Sequence, residues 1–303
     1  MSQSVIDLSR LPAPNVVEDI DFESLFTERK AGFLALVPDG IRAAVAAKLE
    51  LQSEPITILL QESVYREMYL RQRVNDAARA LMLAFAMDGD LDQLAALLGV
   101  ERLVVTPGDP DTGTAPVMES NDDLRDRTQL APQGYSVAGP EGAYRSHARA
   151  AHGSVLDASA TSPNPGEVLV SVLVREGDGT APQAVIDAVS AALSADDVRP
   201  LTDRVTVRSA EIVKYGIDAI IYTYAGPDSG VVIAEAQTRA QQFADDSRRN
   251  GREIPLSGIY AALHAEGVER VVLIAPVKDI AITSTQASFC SSLKVKHGGV
   301  YGG

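Results

Sequence analysis

From Pro55 onward, Ile56, Leu59, Leu60, Val64, Met68, Arg71, Val74, Ala78 and Leu81 recur at threes and fours. That spacing is the period of one helical face. It runs over 55–86, whereas a mean helix is only about 11–12 residues long. Pro55 suits the first helical turn, where its missing N–H would have no partner anyway. The remaining faces carry Gln61, Glu62, Arg66, Glu67, Gln72 and Arg73. A helix this long exceeds what a small domain covers, so two readings stand. It packs against helices of another chain, or it closes a hairpin with the helices expected just before it. Those earlier helices are read over 22–36, from Phe22, Leu25, Phe26, Phe33 and Leu36, and over 41–51 after Pro38-Asp39-Gly40.

Residues 1–20 are polar and interrupted by Pro12 and Pro14, which predicts an extended arm. Asp90 caps one more short helix, and Gly99 suits its left-handed end. The loop 107–119 contains Asp109, Asp111 and Gly113, but the glycine is misplaced for a calcium loop and no glutamate closes it. Ser120 opens a charged helix to about 129, and the turn Ala131-Pro132-Gln133-Gly134-Tyr135 follows.

At 139–175 the period changes. Gly139 and Pro140 start a short helix with Tyr144, His147, Ala148 and Ala151 on one face and Glu141, Arg145, Arg149 and His152 on another. Gly153 ends it. The turn Ser162-Pro163-Asn164-Pro165-Gly166 separates two strands, since each proline fixes φ and the glycine permits a positive one. Val168, Val170, Val172 and Val174 alternate with Leu169 and Leu173, a strand apolar on both faces and therefore covered on both. A helix over 182–193, strands at 205–212 and 215–223 with a bend near Lys214, a helix over 230–248, a short one at 258–263 and a strand at 271–274 come next. The order from about 167 is β-α-β-β-α-(α)-β, that of a ferredoxin-like split βαβ unit. Residues 289–295 offer one more strand.

Composition narrows the function. The 303 residues carry a net charge of −14, which disfavours nucleic acid and anionic membranes as partners. No apolar run approaches the ~18–20 residues that span a bilayer, and the first residues lack a secretory pattern. Cys290 is the single cysteine, so no internal disulfide is available, and its apolar surroundings suit a packed thiol. Four histidines, two of them His147 and His152 five residues apart, do not make a zinc helix. No nucleophile elbow, phosphate loop or dinucleotide fingerprint occurs. We therefore expect no catalytic residue, no cofactor and no metal.

Several short motifs occur in a fixed order: Ser120-Asn121-Asp122-Asp123-Leu124-Arg125, Leu130-Ala131-Pro132-x-Gly134-Tyr135-Ser136 and Gly139-Pro140-Glu141-Gly142-Ala143-Tyr144-Arg145. Ser162-Pro163-x-Pro165-Gly166, Arg199-Pro200-Leu201-Thr202-Asp203, Tyr215, Ile254-Pro255-Leu256-Ser257-x-Ile259 and Gly267-Val268 follow. With them the chain resembles the baseplate J-like protein family of contractile-tailed phages and R-type contractile bacteriocins, closely over about 120–275; residues 276–303 carry no such motif.

The resemblance implies a non-enzymatic wedge subunit of a baseplate, made in the bacterial cytoplasm and built into the particle. Its N-terminal helices would bundle with a second copy and a smaller related wedge protein. Its C-terminal region would link neighbouring wedges into a ring around the hub, beside the sheath-initiating proteins. The ring would hold the sheath extended and widen on host contact. The expected fold is α+β: an extended arm (1–20), a helical bundle-forming region (21–135) and a ring-forming region (136–303) with the ferredoxin-like unit. Ile56, Leu60, Val64, Met68, Val74 and Leu81 are the expected bundle contacts, and Tyr135, Tyr144 and Arg145 the expected junction residues. Two other classes remain at this stage: a metabolite-binding or enzymatic module on the split βαβ fold, which hosts many functions, and a soluble adaptor unrelated to particles.

Overall fold

A computed structural model of the chain describes residues 8, 11, 14, 16–136, 139–195, 198–200, 202–226 and 228–300. The N-terminal end of the expected arm, Leu201 of the Arg199–Asp203 motif and the last three residues lie outside the described residues. The fold is α+β, and the chain separates into two compact units, 1–97 and 98–303.

The first unit is helical: α1 (Phe22–Leu36), α2 (Asp39–Leu49), α3 (Pro55–Ala80) and α4 (Asp88–Ala96). Asp21 caps α1, its carboxylate accepting from Ser24 N at 2.8 Å. Arg42 closes the other end by donating to the Leu34 and Val37 carbonyls at 3.0 and 2.9 Å, satisfying acceptors that a helix terminus leaves open. Phe26, Leu49, Leu60 and Val64 form the core, with Phe22, Phe33, Val45 and Met68 packed against it. The preceding chain docks on α3. Asn75, 3% exposed, accepts from Glu18 N at 3.0 Å and donates to Glu18 O at 2.9 Å. The helix ends at Ala80, short of the 86 that periodicity suggests, because the chain tightens into i→i+3 turns: Met82 N donates to Arg79 O at 3.0 Å and Phe85 N to Met82 O at 2.9 Å. Apolar spacing alone does not distinguish that tightening from another helical turn.

The second unit begins with a two-stranded hairpin, β1 (Val104–Thr106) and β2 (Val117–Met118), then α5 (Asn121–Leu130), a 3-10 turn over 131–135 and α6 (Glu141–Ala151). Ser120 caps α5 by accepting from Asp123 N at 3.1 Å. Gly153 ends α6 for a steric reason: a Cβ there would lie 2.1 Å from Val104 O. One sheet follows, with order β3-β4-β5 from β3 (Val155–Thr161), β4 (Glu167–Val174) and β5 (Arg204–Ser209). β4 runs antiparallel to β3 and parallel to β5, the crossover being α7 (Gln183–Leu193). Val170, Val172, Val185, Val189 and Leu193 fill the core between sheet and helices, and Tyr144 and Ala148 of α6 join it.

The second sheet has order β7-β6-β8, from β6 (Glu211–Thr223), β7 (Val268–Ala275) and β8 (Gln286–Val300). α8 (Ser229–Asp246) and α9 (Leu256–Leu263) pack on one face. Their Val232, Ala236, Ala240, Ile259 and Leu263 meet Tyr215, Ile217, Ala219 and Ile221.

This topology corrects the ferredoxin-like expectation. The strands counted from 167 do not share one sheet: β4 and β5 join β3 in one sheet of three, and β6, β7 and β8 form another. The chain crosses between them at Ala210, whose N–H donates to Val172 O of the first sheet at 2.8 Å, while Glu211 N donates to Thr285 O beside the second at 3.1 Å. Ile212, assigned by alternation to the strand before the bend, belongs to the one after it. Alternation says which residues share a face; it does not say which strand is the neighbour.

Candidate interaction surfaces

The structure divides the six residues expected at a bundle interface, five on α3 and Leu81 just past its end. Leu60 and Val64 turn into the first unit's own core, with Met68 at its margin. Ile56, Val74 and Leu81 point outward, 36%, 61% and 78% exposed. Leu59, which belongs to the periodic series but not to the expected contacts, and Leu70, which belongs to neither, are exposed beside them. At 100° per residue Ile56, Leu59, Leu70, Val74 and Leu81 fall within an arc of about 60°, a stripe that runs the length of a helix of about 39 Å. Leu36 of α1 is 85% exposed, and with Leu25, Phe33, Leu59 and Leu60 it lines an open groove of about 730 Å³ between α1 and α3. Glu28, Arg29 and Glu67 add charge to that groove, and Arg29 and Glu67 pair with each other. Contiguous exposed apolar surface of this kind marks an interaction site. Burial of the a-like positions Leu60 and Val64 leaves the helix with apolar residues on a second face, and only the packing shows which face is which.

The junction residues occupy the second unit. Tyr144 is 3% exposed and donates to Asp203 Oδ2 at 2.6 Å. Burial, then that hydrogen bond to the carboxylate, raises its phenol pKa above the ordinary tyrosine value. Arg145 donates to Asp157 Oδ1 at 3.1 and 2.9 Å. The other oxygen of Asp157, a residue 2% exposed, accepts from Asn250 N at 3.0 Å. Asn250 Nδ2 in turn donates to Ser171 O at 2.8 Å, so the α8–α9 loop is tied to the first sheet. Arg248 from the same loop donates to Arg175 O at 3.1 Å and Gly177 O at 2.9 Å. Tyr135 is exposed, but its hydroxyl donates to Leu98 O at 2.9 Å.

The sequence reading missed Asp157, Asn250 and Arg248, whose partners are 12 to 93 residues away. Asp203 alone had a signal, through its place in a motif. Arg149, also buried, faces Asp157 and Asp126 electrostatically, and burial lowers its pKa. These contacts orient elements; none presents a nucleophile with a base. Among the described residues no group of three or more His, Cys, Asp or Glu side chains is placed to hold a metal ion, and no helix is long and apolar enough to cross a membrane. Cys290 is half-buried against the second core, and burial raises its thiol pKa.

Comparison with known proteins agrees with this emphasis on surfaces. The baseplate J-like N-terminal domain model matches residues 52–109, and the baseplate J-like central domain model matches 136–209. "Baseplate protein J" of Escherichia phage P2 is 51% identical over 297 residues, covering 97% of this chain and 98% of that protein. The chain belongs to the baseplate J-like family, and its role is that of a structural baseplate protein.

Proposed function

We propose that the chain is a wedge subunit of the baseplate of a contractile tail. Its helical unit bundles with a second copy and with a smaller related wedge protein. The unit over 98–303 joins neighbouring wedges into a ring around the hub, next to the sheath-initiating proteins. The ring holds the sheath extended, and its rearrangement on host contact triggers contraction. Such a trigger requires two packings of similar free energy, and it resides in interfaces. The protein is synthesised in the bacterial cytoplasm and ends in the particle.

The observation that carries this reading is the outward stripe Ile56, Leu59, Leu70, Val74 and Leu81 with its α1–α3 groove. Burying one leucine side chain contributes about 1.5–3 kcal/mol, so several together sustain a stable bundle. Co-expression with the smaller wedge protein tests it. The full chain should elute with that protein as a hetero-oligomer, and the Leu59→Asp, Leu70→Asp chain should elute alone with an unchanged circular dichroism spectrum. A wild-type chain that stays monomeric in the presence of that protein would refute the bundle.

A further inference from the structure

Among the described residues, the β7-β6-β8 sheet is clothed by helices, α8 and α9, on one face only. Its other face carries Ile220 and Tyr222 of β6, with Val272 opposite Ile220 and Arg270 opposite Tyr222 on β7. On β8, Lys294 stands opposite Asp218 and Lys296 opposite Ile220. The centre of this face is mostly apolar: Ile220, Tyr222 and Val272 are half-buried and Ile274 is 47% exposed, with the half-buried Asp218 among them opposite Lys294. The rim is basic, since Arg270, Lys294 and Lys296 are exposed. Arg270 lies over the Tyr222 ring, 6.0 Å from its centroid. Gly298 keeps the surface flat there, because a Cβ would come 2.7 Å from Tyr222 and 2.6 Å from Ile220. This basic character is local. The whole chain carries −14, yet no Asp or Glu follows Asp279.

The complement is on the same chain. Residues 109–118, from the end of the β1–β2 loop through β2, are all exposed. They present Asp109 and Asp111 at the tip and Val117 and Met118 on the strand, with Val104 of β1 exposed beside them. The tip is ordered before any partner arrives. Asp109 and Thr114 exchange two backbone hydrogen bonds at 3.0 Å, and Asp109 Oδ1 accepts from Asp111 N at 2.9 Å. The base is anchored too. Buried Glu119 accepts from Arg127 at 2.5 Å and from Leu103 N at 3.2 Å. A rigid, acidic, apolar hairpin thus projects from one part of the unit, and a basic, apolar sheet face of matching chemistry is open elsewhere on it.

We propose that the hairpin over 104–118 of one copy docks on the open β7-β6-β8 face of the next copy. The two patches differ, so the contact is heterologous and repeats head to tail; such a contact closes into a ring when the rotation permits. The proposal rests on the ring-forming role proposed above and gives that role its contact. Net-negative copies repel one another in general, and the basic face makes one approach favourable, which selects register and partner.

Charge reversal in the phage, with the full set of tail proteins present, tests it. Asp109→Lys with Asp111→Lys, and separately Lys294→Glu with Lys296→Glu, should each lower the yield of infective particles at least about tenfold. The four changes together should restore most of it, because the charges again oppose. Rescue of this kind would not follow from damage to folding. Cysteine placement gives a second readout. In a Cys290→Ser background, a Val117→Cys chain and a Val272→Cys chain expressed together should form a disulfide-linked dimer in purified tails. Each variant alone should not. Intact tails with no cross-link, or charge reversals without effect, would overturn this contact while leaving the baseplate role standing. Contractile tails that assemble without the chain at all would overturn the baseplate role itself.

Discussion

At the scale of single residues, what holds the second unit together is polar as much as apolar. Asp157 is buried yet fully used, one oxygen on Arg145 and the other on Asn250 N. Removing such a partner leaves buried groups unsatisfied, which costs about 1–3 kcal/mol each. Asn250→Ala keeps the backbone N–H on Asp157 but removes the Nδ2 donor to Ser171 O, and should lower the unfolding free energy of the 98–303 unit, read from urea titration, by about 1–3 kcal/mol, whereas Tyr135→Phe, on an exposed tyrosine, should change it little. Tyrosine titration supplies a pH signature. Tyr144 and Tyr215 both have raised pKa values, chiefly from burial. Their contribution is fully present below the unfolded tyrosine pKa of about 10 and is lost as pH rises beyond it, because the unfolded chain then releases protons that the folded one keeps. Stability should decline above about pH 10, and the Tyr144→Phe, Tyr215→Phe chain should show a shallower decline in urea titrations at several pH values.

At the scale of elements, α3 shows how far periodicity reaches. Its repeat at threes and fours identifies a long helix, and the helix is there over Pro55–Ala80. The same repeat does not separate inward from outward residues when apolar side chains occupy more than one face. Leu60 and Val64 belong to the core and Leu59 and Leu70 to the surface, although Leu59 and Leu60 are adjacent in sequence. The consequence is measurable. Val64→Ala, at a site with no exposure, should destabilise the helical unit by about 1–3 kcal/mol through lost burial and a cavity. Leu70→Ala should leave thermal stability within about 0.5 kcal/mol and reduce hetero-oligomer formation instead. β4 was equally legible, since its apolar residues on both faces demanded cover from both sides. The break at Ala210 was not. It depends on a hydrogen bond to Val172 O, 38 positions earlier in the chain, and on a third strand supplied from beyond residue 285.

At the scale of the whole molecule, the chain separates into two compact units between residues 97 and 98, whereas the sequence places a boundary at 135/136. Residues 98–135 go with the second unit, because α5 ties to the turn after β3–β4 through Asp123 and Arg175 at 2.5 Å and the 3-10 turn packs on α6, His147 bonding Gly134 O at 3.0 Å. The second unit contains its own cores, so a fragment spanning 98–303 should express in folded form and unfold in a cooperative thermal transition; a fragment spanning 136–303 should not match its stability. Calorimetry of the two fragments decides between the boundaries.

The sequence by itself determined the long α3 helix, the change of period near 153, the paired strands around the Ser162–Gly166 turn, the lack of any recognised catalytic or phosphate-binding motif and, through its ordered motifs, the family. All of these rest on contacts within a few residues or on the order of residues along the chain. Tertiary structure decided which α3 leucines are free to meet a partner, that the later strands form two sheets and not one, and that an acidic hairpin and a basic sheet face are both left open. Those outcomes depend on which distant segments compete for the same surface, and that competition is settled by packing in three dimensions.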